Sequence, residues 1–82
     1  MENFINISIY MYLQVTTLEL ILTYHAKKRM AGKAINKQQV IETIKKGAKI
    51  KQTDGFLARY GYIKVAYKIV KDKYIIKTVM VE

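Results

Sequence analysis

Two runs of strand-forming residues, 59–70 and 74–81, rich in Ile, Val, Tyr and Thr, are separated by only a few residues around Lys71 and Asp72. A two-residue loop there would make them an antiparallel hairpin, and the side-chain faces then specify its register. Val70 faces Lys73, Ile69 faces Tyr74, Tyr67 faces Ile76, Val65 faces Thr78 and Ile63 faces Met80, so one side of the hairpin is nearly all apolar. The other side carries Tyr62, Lys64, Ala66 and Lys68 beside Ile75, Lys77, Val79 and Val81, with Tyr60 at its end. Lys-Asp is not the usual dipeptide of a type I′ turn, so this register rests on the faces rather than on turn chemistry. A hairpin with one apolar side needs a covering layer.

Residues 23–46 supply it. Several Ala, Lys, Arg and Met without a β-branched run, preceded by Thr23 as a cap, predict a short helix over 23–33. Asn36 and Gln39 have capping-box spacing, Val40, Ile41 and Ile44 recur at helical intervals, Lys45 and Lys46 lie at the negative end of the dipole and Gly47 supplies a stop. A second helix over about 37–46 follows, then a short strand around 49–53 and the turn signal Asp54-Gly55. Upstream, Ile5, Ile7, Ile9, Met11, Leu13 and Val15 alternate with polar or tyrosine positions, the period of a half-buried strand. That parity breaks at Thr16 and Thr17 and resumes at Leu18, Leu20 and Leu22, as a bulge, a bend or a second short strand. The rival is a capping box from Thr16 to Glu19 that opens a helix. The expected fold is α+β: two helices from the N-terminal half on one face of an antiparallel sheet of about four strands, with an extra N-terminal strand. Residues 1–82 read as one domain, 1–19 as a strand extension.

Composition narrows the function. Fifteen Lys and Arg against six Asp and Glu give a net charge of +9, and 51% hydrophobic content with no Pro excludes a disordered basic tail. All fifteen cations fall between Lys27 and Lys77. Such a charge favours a polyanionic partner, nucleic acid first, because each cation set against a phosphate releases counterions. The competing explanation is that it only keeps a small apolar-rich domain soluble. With no Cys there is neither a disulfide framework nor a sulfur-ligated zinc site. The apolar stretch over 4–22 is interrupted by Asn6, Ser8, Gln14, Thr16, Thr17 and Glu19 and is not preceded by positive residues, so neither a membrane span nor a secretory signal is expected. The expected compartment is the cytoplasm. A core this small would gain from pairing with a copy, and the N-terminal strand is the expected homodimer contact.

The acidic residues are scattered, so paired-carboxylate and two-metal chemistry is not expected, and no metal or cofactor is implied. What remains is cationic and phenolic. His25 and Arg29 are four residues apart on the first helix and Lys33 lies roughly 80° round from His25. They border the stripe of Ala26, Met30 and Ala34, where a groove between helix and sheet could hold a phosphate. On the competing reading His25 is a satisfied, partly buried histidine and Arg29 a surface cation. A second cluster joins Arg59, Tyr60, Tyr62, Lys64, Lys68 and Lys77 on the sheet. Cations interleaved with rings suit single-stranded nucleic acid, while the competing reading is a solvated strand face whose lysines protect an edge. Such parts suffice for a ribonuclease, since RNA brings its own nucleophile and the protein need only align it, neutralise charge and move a proton.

The residues from 22 to 33, Leu-Thr-Tyr-His-Ala-Lys-Lys-Arg-Met-Ala-Gly-Lys, resemble the opening pattern of the domain of unknown function 4258 family, Thr-x-His-Ala-x-x-Arg-Met-x-x-Arg. The resemblance extends over about 20–82, including Gly47 and the closing strand 75–79. Lys33 stands where the family usually has Arg, which keeps the charge and loses the bidentate fork. Such domains are similar to RelE-like and BrnT-like toxins, compact α+β proteins that cut messenger RNA and often have an adjacent antitoxin. The resemblance therefore implies a toxin-type, metal-independent RNA endonuclease (mRNA interferase-like) with a basic cleft, RNA and an antitoxin protein as partners, and His25 and Arg29 as site residues. Tyr60, Lys64 and Lys77 join them from the face reading. Arg29 with Lys64 or Lys77 would stabilise the phosphate and His25 or Tyr60 would handle the proton. Lys28, Lys33, Arg59, Tyr62 and Lys68 would contact nucleic acid. Two other readings stay open: a non-catalytic RNA- or DNA-binding module on the same basic face, and an interaction domain whose edge strand pairs with a partner.

Overall fold

Both helices start at side chains that satisfy their first backbone N–H groups. In the computed structural model, which describes residues 19–82, Thr23 Oγ1 accepts from the Ala26 N–H at 3.1 Å and opens α1 (Tyr24–Lys33). A reciprocal capping box opens α2 (Lys37–Lys46): the Gln39 N–H donates to Asn36 Oδ1 at 2.8 Å and the Asn36 N–H to Gln39 Oε1 at 2.9 Å. Ala34, left-handed at φ 56, ends α1. Gly47 ends α2 for a reason other than the left-handed cap that usually calls for glycine: its φ is −77, and a Cβ there would lie 2.5 Å from the carbonyl oxygens of both Thr43 and Arg59. Only a residue without a side chain fits between helix and sheet at that point.

The strands are β1 (Leu20–Leu22), β2 (Ala48–Gln52), β3 (Gly55–Tyr60), β4 (Ile63–Val70) and β5 (Lys73–Val81), in the sheet order β1-β5-β4-β3-β2. β2 to β5 form an antiparallel meander, and β1 adds to β5 in parallel, with Leu20 beside Tyr74 and Leu22 beside Ile76, so the sheet is mixed. A strand at Leu20–Leu22 disposes of the rival helix there. The alternating stretch 5–15, and with it the expected N-terminal strand and dimer contact, lies outside the described residues.

Two expectations about the hairpin need correction. The run 59–70 is not one strand: Gly61, at φ 61, turns the chain together with Tyr62, and the residues before it belong to β3, which starts at Gly55. The loop at Lys71 and Asp72 does have two residues, both left-handed at φ 48 and 67 as a type I′ turn requires. The expected pairs hold from Val70 with Lys73 down to Tyr67 with Ile76, and then Lys77 enters as an extra residue. Beyond this bulge Ala66 pairs with Thr78, Val65 with Val79 and Ile63 with Val81, so the expected Val65–Thr78 and Ile63–Met80 pairs do not form. The slip turns Val79 and Val81 toward the helices and Thr78 and Met80 away, placing two β-branched residues where packing rewards them.

α1 lies over β5 and β1, and α2 over β3 and β4. Between the layers, Ala26, Met30, Val40 and Ile44 meet Ala58, Ile63, Val65, Tyr67, Ile76 and Val79. Each fully buried Val or Ile contributes about 1.5–3 kcal/mol relative to exposure, which makes this face the source of the fold's stability. The rings of Phe56, Tyr67 and Tyr74 extend the layer, with centroids 5.6 and 5.7 Å apart. Among the described residues no helix is long and apolar enough to cross a membrane.

Candidate nucleic-acid interface

Among the described residues, nothing covers the side of the sheet opposite the helices, its bare face. Strand alternation puts Arg59 of β3 and Lys64 and Lys68 of β4 there, and the bulge adds Lys77 of β5. These four cations are organised by two carboxylates. Arg59 Nη2 donates to Glu82 Oε1 at 2.7 Å, and Lys64 Nζ lies 3.0 Å from Glu82 Oε2. Lys77 Nζ lies 3.2 Å, and Lys68 Nζ 3.8 Å, from Asp54 Oδ2, and Lys77 Nζ also donates to the Asp54 backbone carbonyl. The hydrogen bond from Lys77 and the charge of Lys68 hold the Asp54 carboxyl below its ordinary range. The hydrogen bond from Lys64, aided by the Arg59 charge, does the same for Glu82. Two cations against one carboxylate leave each cluster with a net single positive charge. All six side chains reach solvent, and exposed ion pairs of this kind are weak, so an incoming polyanion can replace them.

Between the clusters lie Leu57, Ala66 and Thr78, with Met80 beside Lys64 and Ile75 beside Lys68, all half-buried and none of them aromatic. The expected interleaving of rings with cations is therefore not realised on this face. Tyr60 has the parity of Ala58 and sits at the end of the covered side, 41% exposed, and Tyr62 occupies the β3–β4 turn. Both departures trace to Gly61, which removes Tyr62 from the strand.

The α1 residues stand on the other layer. His25, Lys28, Arg29 and Lys33 are exposed and form no ion pair among the described residues. The stripe that His25 and Arg29 border is filled by Ala26, fully buried, and Met30. The sheet thus lies between these residues and the lysines of the bare face, and a side-chain hydrogen bond ties the start of α1 to β5. Thr23 Oγ1 donates to the Ile76 carbonyl at 2.8 Å, with the Lys77 carbonyl 3.3 Å away, and the Thr23 N–H also donates to Ile76. This residue pins the first turn of α1, His25 included, to the edge of β5 at the bulged Lys77. β1 has ended by then, so among the described residues the outer edge of β5 from Lys77 onward has no strand partner.

Asp54 and Glu82, the two residues that organise the bare face, carry no local sequence signal of that role. Each is 23 positions from a cation it binds, Asp54 from Lys77 and Glu82 from Arg59, a separation that only the sheet register closes. Among the described residues no three His, Asp or Glu side chains come together.

Comparison with known proteins places this architecture. No curated protein matches the chain. A chain of the crystal structure of the toxin–antitoxin complex RelBE2 from Mycobacterium tuberculosis superposes with a TM-score of 0.55 at 15% identity, over 79% of this chain and 98% of that one. At this identity the likeness is one of fold, and it agrees with two helices packed on a mixed five-stranded sheet. The model of the domain of unknown function family DUF4258 matches residues 22–81, nearly all of the two-layer unit described above, and the chain belongs to that family.

Proposed function

We propose that this protein is a toxin-type RNA endonuclease that needs no metal, with RNA lying across the bare face of the sheet and over the edge of β5. The observation that carries the reading is the junction at Thr23, where the bulged Lys77 and the first turn of α1 meet. An RNA strand crossing that edge would find Lys77 and Lys68 on one side and His25 on the other. In the proposed reaction a ribose 2′-hydroxyl attacks its own 3′-phosphorus, the bond to the 5′-oxygen breaks, and a cyclic phosphate forms. His25 takes the hydroxyl proton or returns one to the leaving oxygen, a role that Tyr60, at the end of the covered side of β3, is not placed to share. Lys77 and Arg29 neutralise the charge that builds on the phosphoryl oxygens, while Arg59, Lys64 and Lys68, with Lys28, Lys33 and Tyr62 around them, hold neighbouring phosphates. A cytoplasmic substrate and an antitoxin that masks the basic face complete this reading, which the fold likeness to a toxin–antitoxin chain supports.

One observation favours a second reading, a module that binds nucleic acid without cutting it. The sequence has a single His, and it sits on the helix layer, away from the face where the cations cluster. Incubation of a defined RNA in EDTA with the wild type and with a His25→Ala/Arg29→Ala variant separates the two. The nuclease reading expects cleavage by the wild type and a loss of about a hundredfold or more in the variant, with RNA still bound. RNA bound and left intact by the wild type selects the second reading, and no binding of RNA or DNA at about 50 mM salt, where phosphate contacts are strong, defeats both.

A further inference from the structure

We infer that the bare face carries two phosphodiester subsites, one between Arg59 and Lys64 and one between Lys68 and Lys77, and that Glu82 and Asp54 occupy them as built-in competitors of RNA. The inference rests on the nucleic-acid reading of this face and adds a gate to it. Glu82 spans its two cations with different oxygens, at 2.7 Å to Arg59 and 3.0 Å to Lys64, which is how two non-bridging oxygens of a phosphate would be held. Arg59 and Lys64 are direct partners across β3 and β4, so the sheet keeps them spaced when the carboxylate leaves. Asp54 holds Lys77 at 3.2 Å and Lys68 at 3.8 Å from the turn before β3. Its side chain is 71% exposed and that of Glu82 39%, so both can swing into solvent without opening the core.

Lys68 is four positions on from Lys64 in β4, about 13 Å along an extended strand, a distance that a short stretch of single-stranded RNA can span. The strip between them has apolar and small side chains and no ring or amide. A backbone held at both ends would lie over it with little reading of the bases. Two of the six acidic residues of a +9 chain are set between these cation pairs. A purely structural role for them would be to relieve repulsion among the cations. In that case neutralising them would lower stability and leave RNA affinity where the overall charge change puts it.

The probe is a short fluorescent 2′-O-methyl RNA of mixed sequence, which presents phosphates but no nucleophilic hydroxyl, titrated by anisotropy at several salt concentrations. Glu82→Gln and Asp54→Asn are compared with the wild type and with Glu42→Gln, which makes the same charge change on α2, where Glu42 pairs with Lys46 of its own helix. Each bare-face variant is expected to bind about three- to tenfold more tightly at low salt and to show a steeper salt dependence by about 0.7 for each phosphate newly engaged, with Glu42→Gln within about twofold of wild type. On the unmodified chain, added RNA should move the Glu82 and Asp54 carboxyl carbon resonances, and their titrations should shift upward as the cations are taken. If Glu82→Gln and Asp54→Asn gain no more than Glu42→Gln, or the carboxyl titrations stay still while RNA is bound, the gate is overturned and the RNA reading stands. If no form of the protein binds the probe, the RNA reading falls and takes the gate with it.

Discussion

The two sides of one sheet are built on different principles. On the covered side Ala58, Val65, Ile76 and Val79 are fully buried against the helices, and position there is dictated by shape. On the bare side Arg59, Lys64, Lys68 and Lys77 are held by exposed carboxylates, and position there is dictated by charges that can change partner. Neighbours in sequence serve opposite ends, since Val65 follows Lys64 and Lys77 follows Ile76. Stability and binding should therefore separate cleanly under mutation.

The largest effect belongs to the covered side. Ile76 is fully buried, and Ile76→Ala should lower unfolding free energy by about 2–5 kcal/mol in urea titration, a large share of what a domain this size possesses. A loss below about 1 kcal/mol would mean that this face is not the tightly packed layer described. The bare side offers a far smaller effect through pH. The carboxyls of Glu82 and Asp54 are depressed in the folded chain, so they bind fewer protons than in the unfolded chain. Their contribution is present above the ordinary carboxylate range and is lost as pH falls through the depressed folded values. Thermal melts at descending pH should show this slope in the wild type and less of it in Glu82→Gln and Asp54→Asn. An unchanged slope would show that these pairs add nothing to stability.

Local chemistry was easy to read from the sequence, and sheet-level geometry was not. Thr23, Asn36 and Gln39 announce helix starts because a cap is made within three residues, and both helices lie where those residues direct. The two-residue loop at Lys71 and Asp72 likewise followed from its immediate neighbours. The bulge at Lys77 did not, because Thr78 to Val81 contain apolar residues at both parities and either register buries some of them. Gly61 interrupts a run whose composition is strand-like on both sides, and only its positive φ reveals the turn. The ion pairs of Glu82 and Asp54 depend on that register, which is why carboxylates that look scattered in sequence meet the cations in space. His25, Arg29 and the lysines of the sheet read as one cluster until the layers are assembled, and then stand on opposite sides of the sheet, with Thr23 tying the start of α1 to the backbone of β5 at Lys77.

The most direct test of the division between the two sides is lysine footprinting. Brief acetylation of the protein with and without a saturating single-stranded 2′-O-methyl RNA, read by mass spectrometry, scores each ammonium group separately. Protection concentrated on Lys64, Lys68 and Lys77, with Lys45 and Lys46 of α2 unchanged, is the predicted result. Protection of the α2 lysines with the three sheet lysines still reactive would place RNA on the helix layer and contradict the account.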